Sequence, residues 1–435
     1  MIKVTAKKVA DAKDGGITKI VREYLSHEGL KLKQFVLTQQ ESDYAAFGKY
    51  RISHDNGRTY GEWKDISIED ARTFYGQDEI LDVCDTQLAS KVWNPVHRHY
   101  VSTYFTRYFI DGHEKAYQDE WRGASDGTKG VYDHQYIRIY RENQEKHFKQ
   151  QFMKYEEGDD FDASNPRNPN FLTKNQGYIN RPIVLKNGDI MVVVGAKVEF
   201  GCRVTGQDVN KVFPSRPKMH RCAIMARGVY NAQKEEYEFT YSEPVILSDT
   251  QSSRGIDEPM IAELETGRII LVMRGSNVTS DDWNTRINPY APSFKWWSYS
   301  DDGGKTFTAP TPWHFDNREV LYSSATICEL VRSIKNGKLY WIGNFTGPNA
   351  YGNGPRFPLN ICEIDEQTGV LKKETLTVID TRNEGDAESV QLSNFHVLQD
   401  RETGHVEVSL FKVCQFDSKR PFYGEGWIYD IDLGE

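Results

Sequence analysis

The chain contains the stretch Ile183-Val-Leu-Lys-Asn-Gly-Asp-Ile-Met191, in which two short apolar segments flank an Asn-Gly pair. Asn-Gly supplies the positive φ angles of a two-residue hairpin turn, so we expect two antiparallel strands here. The pattern recurs at Ile261–Ile270, Val331–Tyr340 and Val397–Val406, with turn glycines 79, 70 and 67 residues apart. A repeat of this length fits about six times into 435 residues. The sequence therefore predicts an all-β propeller with six blades, or with seven.

A single propeller domain is predicted to span residues 1–435, because the hairpin signals recur and helical patterning is scarce. One excursion of loop and helix is expected to interrupt it, near residues 113–175. Within this excursion, His113–Thr128 is predicted to form a long loop, and Glu142–Lys154 is expected to form either a helix or a solvated linker.

Charge and hydropathy argue against several classes of function. The chain has 54 Lys and Arg against 63 Asp and Glu, a formal charge of -9, so we expect neither a nucleic-acid nor a membrane partner. Apolar runs such as Ile269–Met273 are far shorter than the roughly 20 residues needed to cross a bilayer. The first residues carry no apolar signal core, which predicts a cytoplasmic protein, or a secreted or periplasmic one if a signal was removed.

Cysteine and aromatic residues narrow the expected chemistry. The six cysteines are scattered, without a Cys-x-x-Cys pair, so we expect buried, reduced thiols, no metal site and no cofactor. The chain has 24 Tyr, 21 Phe and 9 Trp, and aromatic surfaces stack on sugar-like ligands. An oligosaccharide or polysaccharide is the expected partner, and the oligomeric state is left open.

Two further stretches share a Ser-x-Asp-x-Gly-x-Thr-aromatic pattern, namely Ser53-His-Asp-Asn-Gly-Arg-Thr-Tyr60 and Ser300-Asp-Asp-Gly-Gly-Lys-Thr-Phe307. In each, the Asp is expected to accept backbone N–H bonds and the Gly to take a conformation closed to other residues. They resemble the Asp-boxes of sialidase-type propellers. Asp365-Glu-Gln-Thr-Gly369 and Asp400-Arg-Glu-Thr-Gly404 look like degenerate relatives. In that family the boxes lie away from the active site, so the resemblance implies a fold and no chemistry.

The resemblance to the sialidase superfamily extends from about Tyr178 to His405. The segment from Asp257 to Arg274 is similar to the strand pair that carries an acidic residue and then an arginine. The resemblance implies that Glu258 activates a nucleophile and that Arg274 binds a substrate carboxylate. It also implies a second carboxylate-binding arginine at Arg356.

Two positions depart from the family pattern. Arg181-Pro182 resembles the entry of the first family arginine, but one residue is missing between Arg and Pro. Where sialidases present a nucleophilic tyrosine, this chain has Leu392, which cannot attack a sugar carbon. Tyr322-Ser323 offers a Tyr-Ser pair one blade earlier. The resemblance therefore implies a charged pocket in which sialidase chemistry itself is not expected.

Histidines concentrate in the first half of the chain. Asn94–Phe105 alternates like a strand and is expected to put His97 and His99 on one face. Gly130–Tyr140 is its expected hairpin partner and would bring His134 near that face. Met219-His220-Arg221 is a further pocket candidate.

Three functions fit these residues. The first is a glycoside hydrolase, which needs two carboxyl groups at the glycosidic bond. Glu258 is the first candidate, and Asp257 or Asp133 is the second. Three arginines would hold an acidic or hydroxyl-rich ring by charge-assisted hydrogen bonds. They are Arg181, Arg274 and Arg356.

The second function is a polysaccharide lyase, which needs a base for the proton beside a uronate carboxylate and positive charge on the developing enolate. Its catalytic candidates are His134 and Tyr178, with His99, Arg203 and Arg221 holding the substrate. The third is a non-catalytic carbohydrate-binding propeller, which the absent tyrosine would favour. Against it, buried charges without chemistry or ligand are costly.

Overall fold

The computed structural model describes residues 2–41, 44–66, 72–75, 80–84, 91–110, 127–128, 130–142, 144, 146–177, 181–214, 221–277, 293–348 and 350–435. Within these residues the chain forms six antiparallel sheets that follow one another in the sequence, as the blades of a propeller. The expectation of an all-β propeller with six blades is confirmed, and the alternative of seven blades is not.

Strands make up nearly all of the regular structure. In chain order they are β1 (Lys3–Ala10), β2 (Ile17–Tyr24), β3 (Leu32–Glu41), β4 (Tyr44–Ser53), β5 (Lys64–Ile66), β6 (Arg72–Tyr75), β7 (Ile80–Cys84), β8 (Val92–Asn94), β9 (His99–Ile110), β10 (Gly130–Arg141), β11 (Lys149–Phe152), β12 (Ile183–Val184), β13 (Ile190–Lys197), β14 (Arg221–Asn231), β15 (Glu236–Tyr241), β16 (Asp257–Glu263), β17 (Ile269–Arg274), β18 (Lys295–Ser300), β19 (Thr311–Pro312), β20 (Glu329–Arg332), β21 (Leu339–Asn344), β22 (Leu359–Glu363), β23 (Thr377–Asp380), β24 (Phe395–Gln399), β25 (Val406–Phe411) and β26 (Gly426–Asp432). The short helical segments are α1 (Pro169–Leu172), α2 (Val198–Val204), α3 (Val209–Val212) and a 3-10 turn at Lys373–Thr375.

Each blade is built from consecutive strands, except at the closure of the ring. Blade I contains β2–β5, blade II β6–β11, blade III β12–β15, blade IV β16–β19 and blade V β20–β23. Blade VI contains β24–β26, and β1 completes it by pairing with β26, from Lys3 opposite Asp432 to Ala10 opposite Gly426. The ring is thus closed by main-chain hydrogen bonds between the two ends of the chain.

The strand directions define two faces of the propeller. The first strands of different blades contact one another, as β16 contacts β20, so these strands lie innermost. We call the end at which β12, β16, β20 and β24 begin the upper face, and the opposite end the lower face. Because antiparallel strands alternate in direction, the turns after the first and third strands lie at the lower face. Loops after the second strand lie at the upper face.

All four hairpins expected from the repeat are present, as β12–β13, β16–β17, β20–β21 and β24–β25. The two-residue turn expected in the first was wrong, because the Leu185 N–H donates to the Asp189 C=O around three residues, and of the Asn187-Gly188 pair only Gly188 has a positive φ. The expected pairing of β9 with β10 is also present. However, the prediction of a continuous strand over Asn94–Phe105 was wrong, because residues 95–98 form a turn. The Asn94 side chain accepts from the backbone N–H groups of Val96 and His97, which closes this turn without a glycine.

The described residues of Glu142–Lys154 form neither the helix nor the solvated linker that were the expected alternatives. Residues Lys149–Phe152 of this segment form β11, which pairs with β10 from Ile139 to Tyr136. Residues 111–126, which hold most of the expected His113–Thr128 loop, lie outside the described residues. Among the described residues, no helix has the length and apolar character that crossing a membrane requires.

The two Ser-x-Asp-x-Gly-x-Thr stretches form the same turn between the third and fourth strands of blades I and IV. Asp55 Oδ1 accepts from the Thr59 N–H at 2.8 Å, and Asp302 Oδ1 accepts from the Thr306 N–H at 3.0 Å. The Asp365 turn holds the same position in blade V. The turn at Asp400 instead joins the first two strands of blade VI, so its assignment to this class was wrong.

The hydrophobic core lies between adjacent blades, which fixes them relative to one another. Between blades IV and V, the fully buried rings of Trp313 and Trp341 lie perpendicular, with centroids 6.3 Å apart. Burial of one large apolar side chain stabilises a fold by about 1.5–3 kcal/mol. The five cysteines whose side chains are described are all buried and free. The apolar packing between adjacent blades holds the strand ends of the upper face in place.

Candidate functional site

The inner strand of blade IV begins at the upper face with a β-bulge. Asp257 pairs with Arg274 and Met260 pairs with Val272, so β16 has one residue more than β17 over this interval. Glu258 lies in the bulge with a φ of 40°, a left-handed conformation that non-glycine residues rarely adopt. Bulges re-aim side chains, and strained residues of this kind cluster at functional sites.

Glu258 and Arg274 form an ion pair across this bulge. Arg274 Nη1 donates to Glu258 Oε2, and the exposed fractions of the two side chains are 11% for Arg274 and 26% for Glu258. The carboxylate is therefore the part of the pair that solvent, or a ligand, can reach. The guanidinium beneath it is a partly desolvated cation, whose hydrogen bonds are stronger than those of an exposed one.

Asp257 is bound by a different arginine. Arg254 Nη2 donates to Asp257 Oδ2 at 3.1 Å, and both side chains are nearly buried. Burial raises the pKa of Asp257, but the positive charges of Arg254, Arg274 and Arg221 outweigh it and hold the pKa below its ordinary value. Arg221 begins β14 beside this pair, and its backbone C=O accepts from the Ile256 N–H at 2.7 Å.

A buried lysine, Lys295, connects blade IV to blade V. It lies opposite Arg274 at the start of β18, is 1% exposed, and donates its Nζ to the Thr326 C=O. Burial lowers the pKa of this ammonium, and the charges of Glu258 and Arg356 also act on it. Lys295 thus belongs to the same charged cluster, although sequence reasoning missed it.

Arg356 is held in the upper loop of blade V by contacts on several sides. Its Nη1 donates to Gln391 Oε1 at 2.7 Å, and its Nη2 donates to the Ala325 C=O at 2.9 Å. The Arg356 C=O accepts from the N–H of Leu392, whose side chain is fully buried. The structure therefore brings Arg356 and Leu392 together. Tyr322 is bridged to Phe294.

A second ion pair spans the centre of the upper face. Arg181 Nη2, just before blade III, donates to Glu329 Oε2 at the start of blade V at 2.8 Å. The charges of Lys295, Glu329 and Glu258 all act on the buried Cys328 thiol, which places this pair beside the first cluster. Glu329 is 26% exposed and was also missed by sequence reasoning.

The histidine candidates are not brought to this cluster. His99 lies at the lower face, where its Nε2 contacts the Tyr237 hydroxyl at 2.7 Å, and burial lowers its pKa to about 4. His134 is fully buried, stacked on Phe171 at 4.2 Å, and burial lowers its pKa to about 4 as well. His134 of β10 pairs with Thr106 of β9, which is seven residues along the same strand from His99. The two histidines are therefore roughly 23 Å apart along the sheet.

The remaining candidates lie elsewhere or outside the described residues. Asp133 forms a two-point ion pair with Arg107 in blade II, at 2.7 and 2.9 Å. Arg203 lies on α2 and donates to Glu156 at 2.7 Å. Tyr178 and Met219-His220 fall outside the described residues. Within the part of the chain that the structure describes, no three His, Cys, Asp or Glu side chains could hold a metal ion.

Comparison with known proteins agrees with this architecture. No family model matches the sequence, and no curated protein does. Among solved structures, the chain is similar to a protein of unknown function from Dyadobacter fermentans, with 13% identity, a TM-score of 0.55, and 98% and 99% of the two chains covered. It is also similar to the Trypanosoma rangeli sialidase, with 12% identity and a TM-score of 0.51.

The sialidase match covers 98% of this chain but only 58% of that enzyme, so the chain spans little more than half of its length. An intramolecular trans-sialidase from Ruminococcus gnavus matches at 11% identity and a TM-score of 0.49, over 98% of this chain and 96% of that one. At these identities the likeness concerns the fold. The protein is a six-bladed propeller of the sialidase-like class, as the sequence resemblance implied.

Proposed function

We propose that the protein is a glycoside hydrolase that cleaves a glycosidic bond in an acidic or hydroxyl-rich glycan. The observation that carries this proposal is the Glu258–Arg274 pair in the bulge of β16. A strained, part-exposed carboxylate held by an arginine is costly as a purely structural feature. The trypanosomal sialidase of similar fold is complexed with sialic acid, an acidic sugar, which supports an anionic or highly hydroxylated ligand.

Glycosidases of the usual type require two carboxyl groups, and Glu329 is the better partner for Glu258. Asp257 is nearly buried, and the surrounding arginines lower its pKa, so it suits holding Arg254 rather than giving up a proton. Asp133 is occupied by Arg107 in blade II. Glu329 is part-exposed on β20, which contacts β16 directly.

The cations around these carboxylates would bind the sugar. Arg181 and Arg274 each hold one of the two glutamates, and Arg356 is oriented by Gln391. Charge-assisted hydrogen bonds from arginine suit a sugar carboxylate or a pair of hydroxyls. Because Leu392 replaces the expected tyrosine, a glycosyl-tyrosine intermediate is not part of the proposal.

The lyase alternative ranks lower because its candidates are dispersed. His99 is at the lower face, His134 is enclosed by aromatic rings, and Arg203 on α2 pairs with Glu156. None of the described contacts joins these three residues. The proton transfer that a lyase requires would therefore need other groups.

The test is a product assay on a panel of neutral and acidic oligosaccharides. Release of reducing ends is recorded beside the ultraviolet absorbance of unsaturated uronates. We expect reducing ends without that absorbance, and a loss of about 100-fold or more in turnover for Glu258→Gln and for Glu329→Gln. The exposed Glu238→Gln on β15 is the matched control and should keep full activity.

Two results would contradict the proposal. Absorbance that rises with every cleavage and persists in Glu258→Gln would identify a lyase. Saturable binding of a sugar without turnover would identify a carbohydrate-binding protein that keeps the fold and the pocket.

A further inference from the structure

A cleft of about 220 Å³ lies on the upper face, between blades I and VI and outside the cluster around Glu258. Its walls come from the loop that joins β1 to β2, the end of β3, and the loop that follows β25. The cleft combines aromatic rings with charged and amide groups. The side chains that define its chemistry are Lys13, Asp14, Gln40, Arg420, Phe422 and Tyr423.

Two contacts hold the polar side of this cleft in place. Arg420 donates to Asp14 across the cleft, and its guanidinium stacks on the Tyr423 ring at 3.8 Å. Gln40 donates its Nε2 to the Gly15 C=O at 2.7 Å, which orients the amide. A guanidinium, a carboxylate and an amide side by side can bind several hydroxyl groups at once.

The aromatic side of the cleft continues into an exposed phenylalanine. Phe416 is 42% exposed, and its ring centroid is 5.9 Å from that of Tyr423. Phe422 instead packs against buried residues of blade VI and anchors the loop. A single exposed apolar residue needs no explanation. The Phe416 ring is inclined by 60° to that of Tyr423, so the exposed Phe416 ring alone offers a flat surface beside the polar cleft, of the kind that sugar rings stack on.

The cleft is joined to the candidate active site by direct contacts. Arg356 bridges to Gln391, and Gln391 bridges in turn to Val413 at the base of the loop after β25. The Gln391 N–H donates to the Val413 C=O at 2.8 Å, and the Cys414 N–H donates to the Pro421 C=O at 2.8 Å. One residue, Gln391, therefore lies between Arg356 and the loop that carries the rings.

We propose that this cleft is a second sugar-binding subsite, which takes a distant residue of the glycan whose scissile unit lies at Glu258. The C–H face of the sugar stacks on Phe416, and its hydroxyls bind to Asp14, Gln40 and Arg420. This inference rests on the proposed hydrolase function and specifies it. The substrate is an oligosaccharide or polysaccharide chain that extends across the upper face from blade IV toward blade VI.

The test is a titration calorimetry series with the Glu258→Gln protein, so that bound glycans remain intact. The probes are galacturonate and arabinan oligosaccharides, from the disaccharide to the hexasaccharide. We expect affinity to rise with chain length for one of these series. The ratio of hexasaccharide to disaccharide affinity should fall about tenfold in Phe416→Ala, the loss of one stacking contact. Phe416→Tyr keeps the ring and should restore the ratio.

Trp63→Ala is the matched control, since Trp63 is also 42% exposed but lies at the lower face. Affinity that does not change with length, an equal loss in Trp63→Ala, or no binding of either series would overturn the subsite. The outcome is separable from that of the hydrolase proposal. Length-dependent binding to Glu258→Gln with no turnover by the wild-type protein would keep the subsite and refute the hydrolase, and wild-type turnover without length-dependent binding would do the reverse.

Discussion

The backbone of Arg274 pairs with that of Asp257, but the side chain of Arg274 binds the side chain of the next residue, Glu258. The extra residue in β16 causes this offset, because it turns Glu258 toward the strand end while Asp257 stays in the ladder. Asp257 is left to Arg254, at 3.1 Å. Each of two consecutive carboxylates therefore has its own guanidinium. This arrangement fixes the orientation of both acids before any ligand binds, as preorganised sites require.

The first prediction concerns Arg274. Arg274→Gln removes the cation that holds Glu258, so we expect kcat/KM to fall and the free energy of unfolding to decrease by about 1–3 kcal/mol. The matched control is Arg268→Gln, which breaks the exposed pair with Asp301, where the loss should not exceed about 1 kcal/mol. Urea unfolding and steady-state kinetics measure both. Equal losses of unfolding free energy in the two variants would show that the Glu258–Arg274 ion pair does not stabilise the bulge more than an exposed ion pair would.

The second prediction concerns Asp257 and pH. Asp257→Asn leaves Arg254 without its anion in a buried position, which should cost about 3–5 kcal/mol of unfolding free energy at neutral pH. The folded-state pKa of Asp257 lies below the ordinary value of 3.8. Its contribution is therefore complete above pH 3.8 and is lost as pH falls below it.

The check is the pH dependence of urea unfolding for both proteins. The wild type should lose stability over the acid window more steeply than Asp257→Asn. Asp301→Asn, at a site where the side chain is 61% exposed, serves as the control. Parallel acid curves for wild type and Asp257→Asn would refute the assigned role.

Hairpins with glycine turns were predictable because their chemistry is local. The Asn-Gly turn of Ile183–Met191 requires positive φ, and only a few residues supply it. The equivalent hairpin of blade II was missed, since its turn uses the Asn94 side chain and a positive φ of 54° at Arg98. Neither feature involves a glycine, so the sequence pattern did not indicate a turn there. The pairing of β9 with β10 was predicted because Asn94–Phe105 alternates like a strand and Gly130–Tyr140 is the next stretch that could form a hairpin with it.

The site was predicted in part, and the missed residues have a common cause. Glu258 and Arg274 were found because the segment from Asp257 to Arg274 resembles the sialidase strand pair that carries an acidic residue and then an arginine. Glu329 lies on blade V, and only the closed ring brings it to the same face as Glu258. Lys295 lies on the third strand of blade IV, and only the pairing of β17 with β18 places it opposite Arg274. A signal existed for Lys295, which stands directly before Trp296 in an apolar strand and so had to be a buried cation.

The third prediction concerns His134, whose ring is enclosed by Phe152 and Phe171. Burial lowers its pKa from 6.5 to about 4, so the unfolded chain takes up a proton before the folded one does. Stability should therefore fall as pH drops from about 6.5 to about 4, and His134→Asn should show a shallower fall. Burial lowers the pKa of His99 and His396 in the same direction, so part of the slope remains.

The measurement is urea unfolding across this pH window, with the exposed His54→Asn as the control. Turnover per folded molecule should be unchanged in His134→Asn, because no described contact joins His134 to the Glu258 cluster. Loss of turnover with unchanged stability would instead revive the lyase assignment.

The last prediction separates the turns of the lower face from the chemistry of the upper face. Asp302 accepts from the Thr306 hydroxyl at 2.7 Å and from its N–H at 3.0 Å, which lowers the pKa of Asp302 and closes the turn of blade IV. Asp302→Ala should lower the melting temperature by a few degrees and leave kcat/KM within about twofold of wild type.

Asp55→Ala is the matched variant, since Asp55 makes the same contacts with Thr59 in blade I. Both variants should behave alike, because both turns lie at the lower face of the propeller and Glu258 lies at the upper face. Thermal unfolding followed by circular dichroism, beside the reducing-end assay, measures the two effects. A variant that keeps its melting temperature but loses turnover would show that these turns reach the active site, contrary to the geometry of the propeller.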